Sequence, residues 1–237
     1  MEDKYVFHVH TKRCGHAQEI EDEAYVKKAL EFGSESIYFT DHAPFPEDPF
    51  RNRMRYEELD EYITSLKEIR DKYMGKICVH IGLEIEYLPS YDDYYKQLRN
   101  MDEIELLILG QHHAETPLGK YTFELEDKSD EWKYLMEGQI AGTKSGYFDV
   151  VAHPDRIFKR EKKWTPDMET EAKRFLDVAT KKRITIERNI ASMYHDYQYW
   201  DEFWELVPED LPVIVGSDAH TIDDLVIGIY ERRNIDD

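Results

Sequence analysis

The sequence predicts an α/β fold of repeated right-handed βα units, a (β/α)7 barrel one unit short of the eight-stranded form. Three observations carry that prediction. Short apolar, β-rich runs alternate with stretches of helical spacing along the 237 residues. There are seven such runs, each followed by helical material. Every run also ends in residues able to bind a metal or move a proton, and barrel enzymes build their active sites at the C-terminal ends of their strands.

The strand candidates are residues 6–9, 36–39, 76–85, 106–109, 148–152, 183–186 and 212–215. A helix is expected over 19–31, where Ile20, Ala24, Val26 and Leu30 recur at helical spacing, and over 56–73 on Leu59, Ile63, Leu66 and Ile69. Further helices are expected over 92–99, 130–141, 166–180 and 197–206. No composition break marks a linker, so residues 1–237 read as one domain.

No apolar run approaches the roughly 20 residues that a membrane helix needs, and the charged start Met-Glu-Asp-Lys does not read as a signal peptide. Two cysteines, Cys14 and Cys78, make no disulfide framework, so a cytoplasmic location is the expectation. The net charge of −20 argues against a protein that coats nucleic acid or anionic membrane. It also disfavours an anionic substrate, unless bound divalent cations invert the field locally.

The run ends hold the chemistry. They read His8-Val9-His10, Thr40-Asp41-His42, Gly82-Leu83-Glu84, Gly110-Gln111-His112-His113, His153-Pro154-Asp155, Glu187-Arg188-Asn189 and Gly216-Ser217-Asp218-Ala219-His220. Alternate strand residues share a face, so His8 and His10 are expected to point the same way, roughly 7 Å apart along the chain. Two imidazoles so placed can hold one transition-metal ion, and His16 arrives from the following loop. On the third run Ile77, Val79, Ile81, Leu83 and Ile85 form one face, while Cys78, His80, Gly82 and Glu84 form the other and turn to the barrel interior. His80 is expected deep inside, hydrogen-bonded rather than metal-bound. A core histidine satisfied by the backbone is the ordinary explanation of a single H-x-H. Here it would have to be invoked at seven places, with eight of the ten histidines at or beside run ends and only His80 and His195 elsewhere.

Cations also stand in these loops: Lys12 and Arg13 between His10 and His16, and Arg160 after His153-Pro154-Asp155. Arg160 is the expected phosphate clamp, because a guanidinium presents paired donors. The long loop 43–55 is either a lid or substrate wall or a self-packed Ω-loop. Glu115, Glu187 and Asn189 are rim positions suited to a cationic substrate or to supporting the ligands. The aromatic run 194–204 reads as helix core, and Cys14 as a bystander beside the histidine loop. Mixed imidazole and carboxylate donors suit Zn, Mn or Fe and disfavour Mg or Ca.

The full set of motifs, from H-x-H at His8 to S-D-A-H at His220, resembles the polymerase and histidinol phosphatase (PHP) superfamily and, within it, the histidinol-phosphate phosphatases. The resemblance implies a distorted (β/α)7 barrel with up to three divalent metals. Position by position, it implies that His8, His10, Glu84 and Asp218 serve one metal. Glu84 bridges to a second, which His112 and His153 also hold, and His16, His42 and His220 hold a third. His112 is the expected ligand on its distance from the strand start at Glu105, with its neighbour His113 the open alternative. The implied reaction is hydrolysis of L-histidinol phosphate by a metal-bridging hydroxide, with Glu84, Asp218 and His42 as the catalytic groups. The rival readings are a phosphodiesterase or exonuclease of the same superfamily, a non-catalytic metal-binding protein, and an amidohydrolase, in which a strand-end lysine would be expected where Glu84 stands.

Overall fold

The computed structural model describes residues 3–194 and 198–230. Its strands are β1 (Asp3–Val9), β2 (Ser36–His42), β3 (Cys78–Ile85), β4 (Leu106–Leu109), β5 (Val150–Val151), β6 (Thr185–Asn189), β7 (Val213–Gly216) and β8 (Gly228–Tyr230). Its helices are α1 (Asp22–Glu31), α2 (Leu59–Lys72), α3 (Asp92–Arg99), α4 (Glu131–Ser145), α5 (Pro166–Lys182), α6 (Ile190–Met193) and α7 (Asp201–Glu205). The strands hydrogen-bond in the order β7-β6-β5-β4-β3-β2-β1-β8. From β7 to β1 this follows the chain one strand at a time, as successive βα units require. The chain divides into two compact units, one drawn from Met1–Leu83, Glu103–Glu105 and Val215–Asp237, the other from Glu84–Asp102 and Leu106–Ile214.

In the first unit β1 pairs parallel with β2 and antiparallel with β8. The segment after β7 also joins β1: Ser217 N–H donates to Phe7 O (2.8 Å), Ala219 N–H to His8 O (3.0 Å), and His10 N–H to Ala219 O (2.9 Å). Val6, Phe7 and Val9 are buried, as are Tyr25, Val26 and Ala29 of α1 and Leu59, Tyr62, Ile63, Leu66 and Ile69 of α2. Burying each large side chain contributes about 1.5–3 kcal/mol. Gly228 is required on packing grounds, because a Cβ there would lie 2.1 Å from the Tyr5 ring.

In the second unit β4, β5 and β6 are parallel, with Leu109↔Val151 and Val151↔Ile186 in register. All four residues of β4 are buried, the pattern of a parallel strand covered on both faces. The α5 start has a Thr165 cap that accepts from Met168 N, with Pro166 in the first turn. Gly142 lets α4 close on β4, since a Cβ there would meet Leu109 at 2.7 Å.

Several expectations need correction. The strand expected over 148–152 contracts to Val150–Val151, and β8 is too short to announce itself by pattern. The helix expected over 197–206 is only Asp201–Glu205, preceded by the four-residue α6; residues 195–197, with His195, lie outside the described residues. His80 is not deep: it is 28 % exposed, stacks on Tyr38 (4.2 Å between centroids) and sits 2.6 Å from the Glu105 carboxylate. Cys78 beside it is exposed. The early part of that face therefore meets water, whereas Gly82 and Glu84 are buried. Among the described residues, no helix is long and apolar enough to cross a membrane.

Candidate metal centre

Each unit holds one cluster of histidines and carboxylates. In the first, Asp218 Oδ1 lies 3.0 Å from His10 Nε2 and 3.6 Å from His8 Nε2. The His10 ring stacks at 4.1 Å on His220 and lies 4.3 Å from His42, and donor atoms of His16, His42 and His220 converge as one potential metal group. Asp41, fully buried, sits 3.4 Å from His10 Nδ1. It also accepts from the Thr11 hydroxyl and from His42 N (2.8 Å). Burial alone would lower the His10 pKa, but Asp218 and Asp41 outweigh it and raise it to about 9.

The His8/His10 pair is not made by plain strand alternation. The β1–β2 register shifts between Val6 and Val9, and His8 has φ 66°, in the left-handed region. The other left-handed expected ligands are Asp218 (φ 52°) and His153 (φ 31°). Such backbone costs on the order of 1–3 kcal/mol per residue and concentrates at functional sites. Here it coincides with three expected ligands.

In the second unit Glu84 Oε1 lies 2.9 Å from His153 Nε2 and 3.6 Å from His112 Nε2. The His112 and His153 ring centroids are 5.1 Å apart. Buried Glu86 lies 3.2 Å from His112 Nδ1 and 3.0 Å from His113 Nδ1. Glu187, also buried, accepts from His153 N (3.1 Å) and Asn189 Nδ2 (3.0 Å). Burial, helped by the Arg156 charge, lowers the His153 pKa to about 4 against the pull of Glu84, which keeps the imidazole neutral and able to donate a lone pair.

The ring orientations test whether a metal fits. His16 Nδ1 lies 3.1 Å from Cys14 O and His220 Nδ1 3.1 Å from Asp218 O. A carbonyl only accepts, so both Nδ1 atoms carry the proton and both Nε2 atoms present lone pairs. Those two Nε2 atoms face each other at 2.9 Å. Facing lone pairs call for a cation between them, and burial, with the nearby His10 charge, holds His220 down to about 4, which disfavours a proton. The donor set of imidazole nitrogen and carboxylate oxygen suits a divalent transition metal. Cys14 Sγ stands near His10 and His220, but burial pushes its thiol up to about 12, away from the thiolate that binds metal.

Comparison with known proteins agrees. A profile of the PHP domain matches residues 7–191. The chain belongs to the PHP domain family. A Deinococcus radiodurans relative described as "Probable histidinol-phosphatase" is 28% identical over 232 residues, covering 90% of this PHP-domain chain and 85% of the relative. A Bacillus subtilis histidinol-phosphatase is 33% identical over 92 residues, 36% of this chain and 34% of that protein. Among solved structures, hisK from Listeria monocytogenes superposes with a TM-score of 0.75 at 19% identity, covering 93% of this chain and 96% of that one. The Lactococcus lactis histidinol phosphate phosphatase, solved with Zn, L-histidinol and phosphate, gives 0.70 at 18% identity, covering 93% and 87%. These likenesses establish the fold, a PHP-type α/β fold related to the (β/α)8 barrel and of the class expected from the sequence.

The remaining expected residues of the PHP domain fall in mixed places. Arg13 holds Asp22 (2.9 Å) and Glu61 (2.6 Å) and lies over the Tyr62 ring, the contacts of a structural strut. Lys12 pairs with Glu21 at 2.9 Å. Arg160 is 55 % exposed and pairs with Glu131. Glu115 accepts from Ser90 through backbone and hydroxyl. Asn189 caps α6 by accepting from Ser192 N, and its Oδ1 also accepts from Arg156 Nη2 at 2.8 Å. The 43–55 loop is packed on itself, with Arg53 over both the Phe45 and Phe50 rings and Met54 buried. Asp41, Glu86 and Arg156 were not singled out by sequence. The first two had a legible signal, since each stands within two residues of an expected ligand. Because Asp22 is 3 % exposed, Arg13→Ala leaves a buried carboxylate unpaired. It is expected to cost about 3 kcal/mol in urea unfolding while leaving KM for substrate within about threefold of wild type; a large KM increase at unchanged stability would return Arg13 to the substrate.

Proposed function

We propose that this protein is a divalent-metal-dependent phosphomonoesterase that hydrolyses L-histidinol phosphate to L-histidinol and phosphate, a step of histidine biosynthesis, as a single cytoplasmic catalytic domain. The observation that carries the reading is the common orientation of the ligand rings. His10, His16, His112 and His220 each have Nδ1 against an oxygen, which turns Nε2 toward carboxylates or toward a second imidazole. That is how proteins present imidazole to a metal. Support for the substrate comes from the Deinococcus relative, which matches over most of both chains.

The ligand assignment follows the family pattern stated from sequence: His8, His10, Glu84 and Asp218 for one ion; Glu84, His112 and His153 for a second; His16, His42 and His220 for a third. Zn, Mn and Fe are the ions these donors suit. Bound there, divalent ions would acidify a water and neutralise the phosphate charge. The chain's own part is to hold the donors rigidly, orient the ester and deliver a proton to the leaving oxygen, the role assigned to His42 or Asp218. Arg156 replaces Arg160 as the phosphate-binding residue in this reading, because its guanidinium is steadied by Asn189 Oδ1 and Ser192 Oγ and its charge is felt at His153. Charge-assisted hydrogen bonds contribute about 1.5–3 kcal/mol. Arg156→Ala is therefore expected to raise KM roughly 10- to 100-fold, and Arg160→Ala to change it little; the reverse order would restore Arg160.

The test is phosphate release by purified protein after metal analysis. L-histidinol phosphate should be compared with other phosphomonoesters, a phosphodiester and short oligonucleotides. The highest kcat/KM is expected on L-histidinol phosphate, with activity lost on chelation and restored by Mn or Zn. Preference for the diester or oligonucleotides would favour the exonuclease reading, against which the −20 net charge weighs. Activity indifferent to chelation would sink the metal requirement.

A further inference from the structure

The histidine doublet converges on a single buried oxygen. Glu86 is fully buried, and its Oε1 lies 3.2 Å from His112 Nδ1 and 3.0 Å from His113 Nδ1. Gln111 clamps the backbone on either side of this contact. Its Nε2 donates to His113 O (2.7 Å) and Tyr87 O (3.2 Å), and its Oε1 accepts from Tyr87 N (3.1 Å). Gly138 leaves room for that amide, since a Cβ there would lie 2.7 Å from Gln111 Nε2.

The two rings then diverge. His112 presents Nε2 to Glu84 Oε1 at 3.6 Å and its ring lies 5.1 Å from His153. His113 lies edge-on to Tyr121 (5.9 Å) and Phe123 (5.5 Å).

We propose that Glu86 is a positioning residue of the metal centre: by accepting the Nδ1 proton of both histidines on one oxygen, it selects His112 as the ligand and holds His113 out of the coordination sphere. The inference rests on the metal-dependent reading above. The two neutral imidazole tautomers differ little in energy, so the acceptor at Nδ1 decides which nitrogen keeps its lone pair. A carboxylate there fixes the ring and raises the basicity of Nε2, an effect whose removal typically costs 10- to 100-fold in metal affinity. Sharing one acceptor ties the orientation of the second ring to that of the first. Without it, two adjacent histidines would compete for one position.

The test compares the full-length protein with Glu86→Gln, Glu86→Leu and His113→Gln. Zinc affinity is read by competition with a chromophoric chelator, and ring protonation by long-range 1H–15N NMR on the zinc-loaded protein. Wild type is expected to show His112 bound through Nε2 with a proton on Nδ1, and His113 uncoordinated. Glu86→Gln, which keeps an acceptor oxygen but no charge, is expected to weaken the most affected zinc site about 10-fold, and Glu86→Leu up to about 100-fold. His113→Gln should keep the full zinc stoichiometry. Zinc affinity in Glu86→Gln within twofold of wild type, His112 coordinated through Nδ1, or loss of a zinc equivalent in His113→Gln would each overturn the assignment. A wild-type protein that takes up no zinc, manganese or iron would bring down the metal-dependent reading itself, a distinguishable failure.

Discussion

Replacing Glu84 with alanine is expected to abolish turnover of L-histidinol phosphate, lowering kcat/KM by on the order of 10^3-fold or more, while the far-UV circular dichroism stays that of the wild type. Glu84 is 1 % exposed, and its Oε1 is shared by His153 at 2.9 Å and His112 at 3.6 Å. It is the carboxylate of the second unit's cluster on which both imidazoles converge. Removing it takes away donor charge that no neighbour replaces, because the Glu86 oxygen is engaged by the other side of the doublet. The fold should survive, since the deletion relieves a buried charge rather than stranding one. Asp218→Ala is expected to lower kcat/KM to the same extent, through the loss of its contacts with His8 and His10. Retention of a tenth of the activity by either variant, measured as phosphate release with metal content recorded, would remove that residue from the reaction.

Gly110→Ala is expected to cost about 100-fold in kcat/KM without adding or removing any functional group. A Cβ at Gly110 would fall 2.0 Å from Glu84 Oε1 and 2.5 Å from its carboxyl carbon. The φ of Gly110 is not in the left-handed range, so the backbone accepts alanine and the carboxylate must move instead. It is buried and held against His153, so it cannot swing into solvent. A displacement of roughly 1 Å in a catalytic group can cost 10^2-fold. The same displacement should lower zinc content in parallel. Full activity with normal metal content in Gly110→Ala would mean that the Glu84 position is not critical.

The difference between what could and could not be seen beforehand follows from range of interaction. The ends of the seven runs were legible because a ligand must sit where a strand meets its loop, and both periodicity and residue type are local. His8 and His10 were legible as a pair, but not the means of their alignment: the left-handed His8 and the shifted β1–β2 register depend on pairing with a strand some thirty residues on. Asp41 and Glu86 carried a signal, each within two residues of an expected ligand, yet closeness in sequence does not reveal whether a carboxylate faces a histidine ring. Arginines were least legible. Arg13, Arg156 and Arg160 have identical chemistry in sequence, but their partners, Asp22 with Glu61, Asn189 with Ser192, and Glu131, lie 9 to 48 positions away.

The sequence alone therefore determined the α/β class, the succession of seven β-rich runs and the residue types gathered at their ends, all of which rest on periodicity and donor chemistry within a few residues. Only the tertiary structure decided which oxygen holds each Nδ1, which of the two adjacent histidines turns Nε2 to Glu84, and which guanidinium is a strut and which is steadied beside His153. Those choices are made by contacts between residues far apart in the chain, whose directions no local pattern specifies.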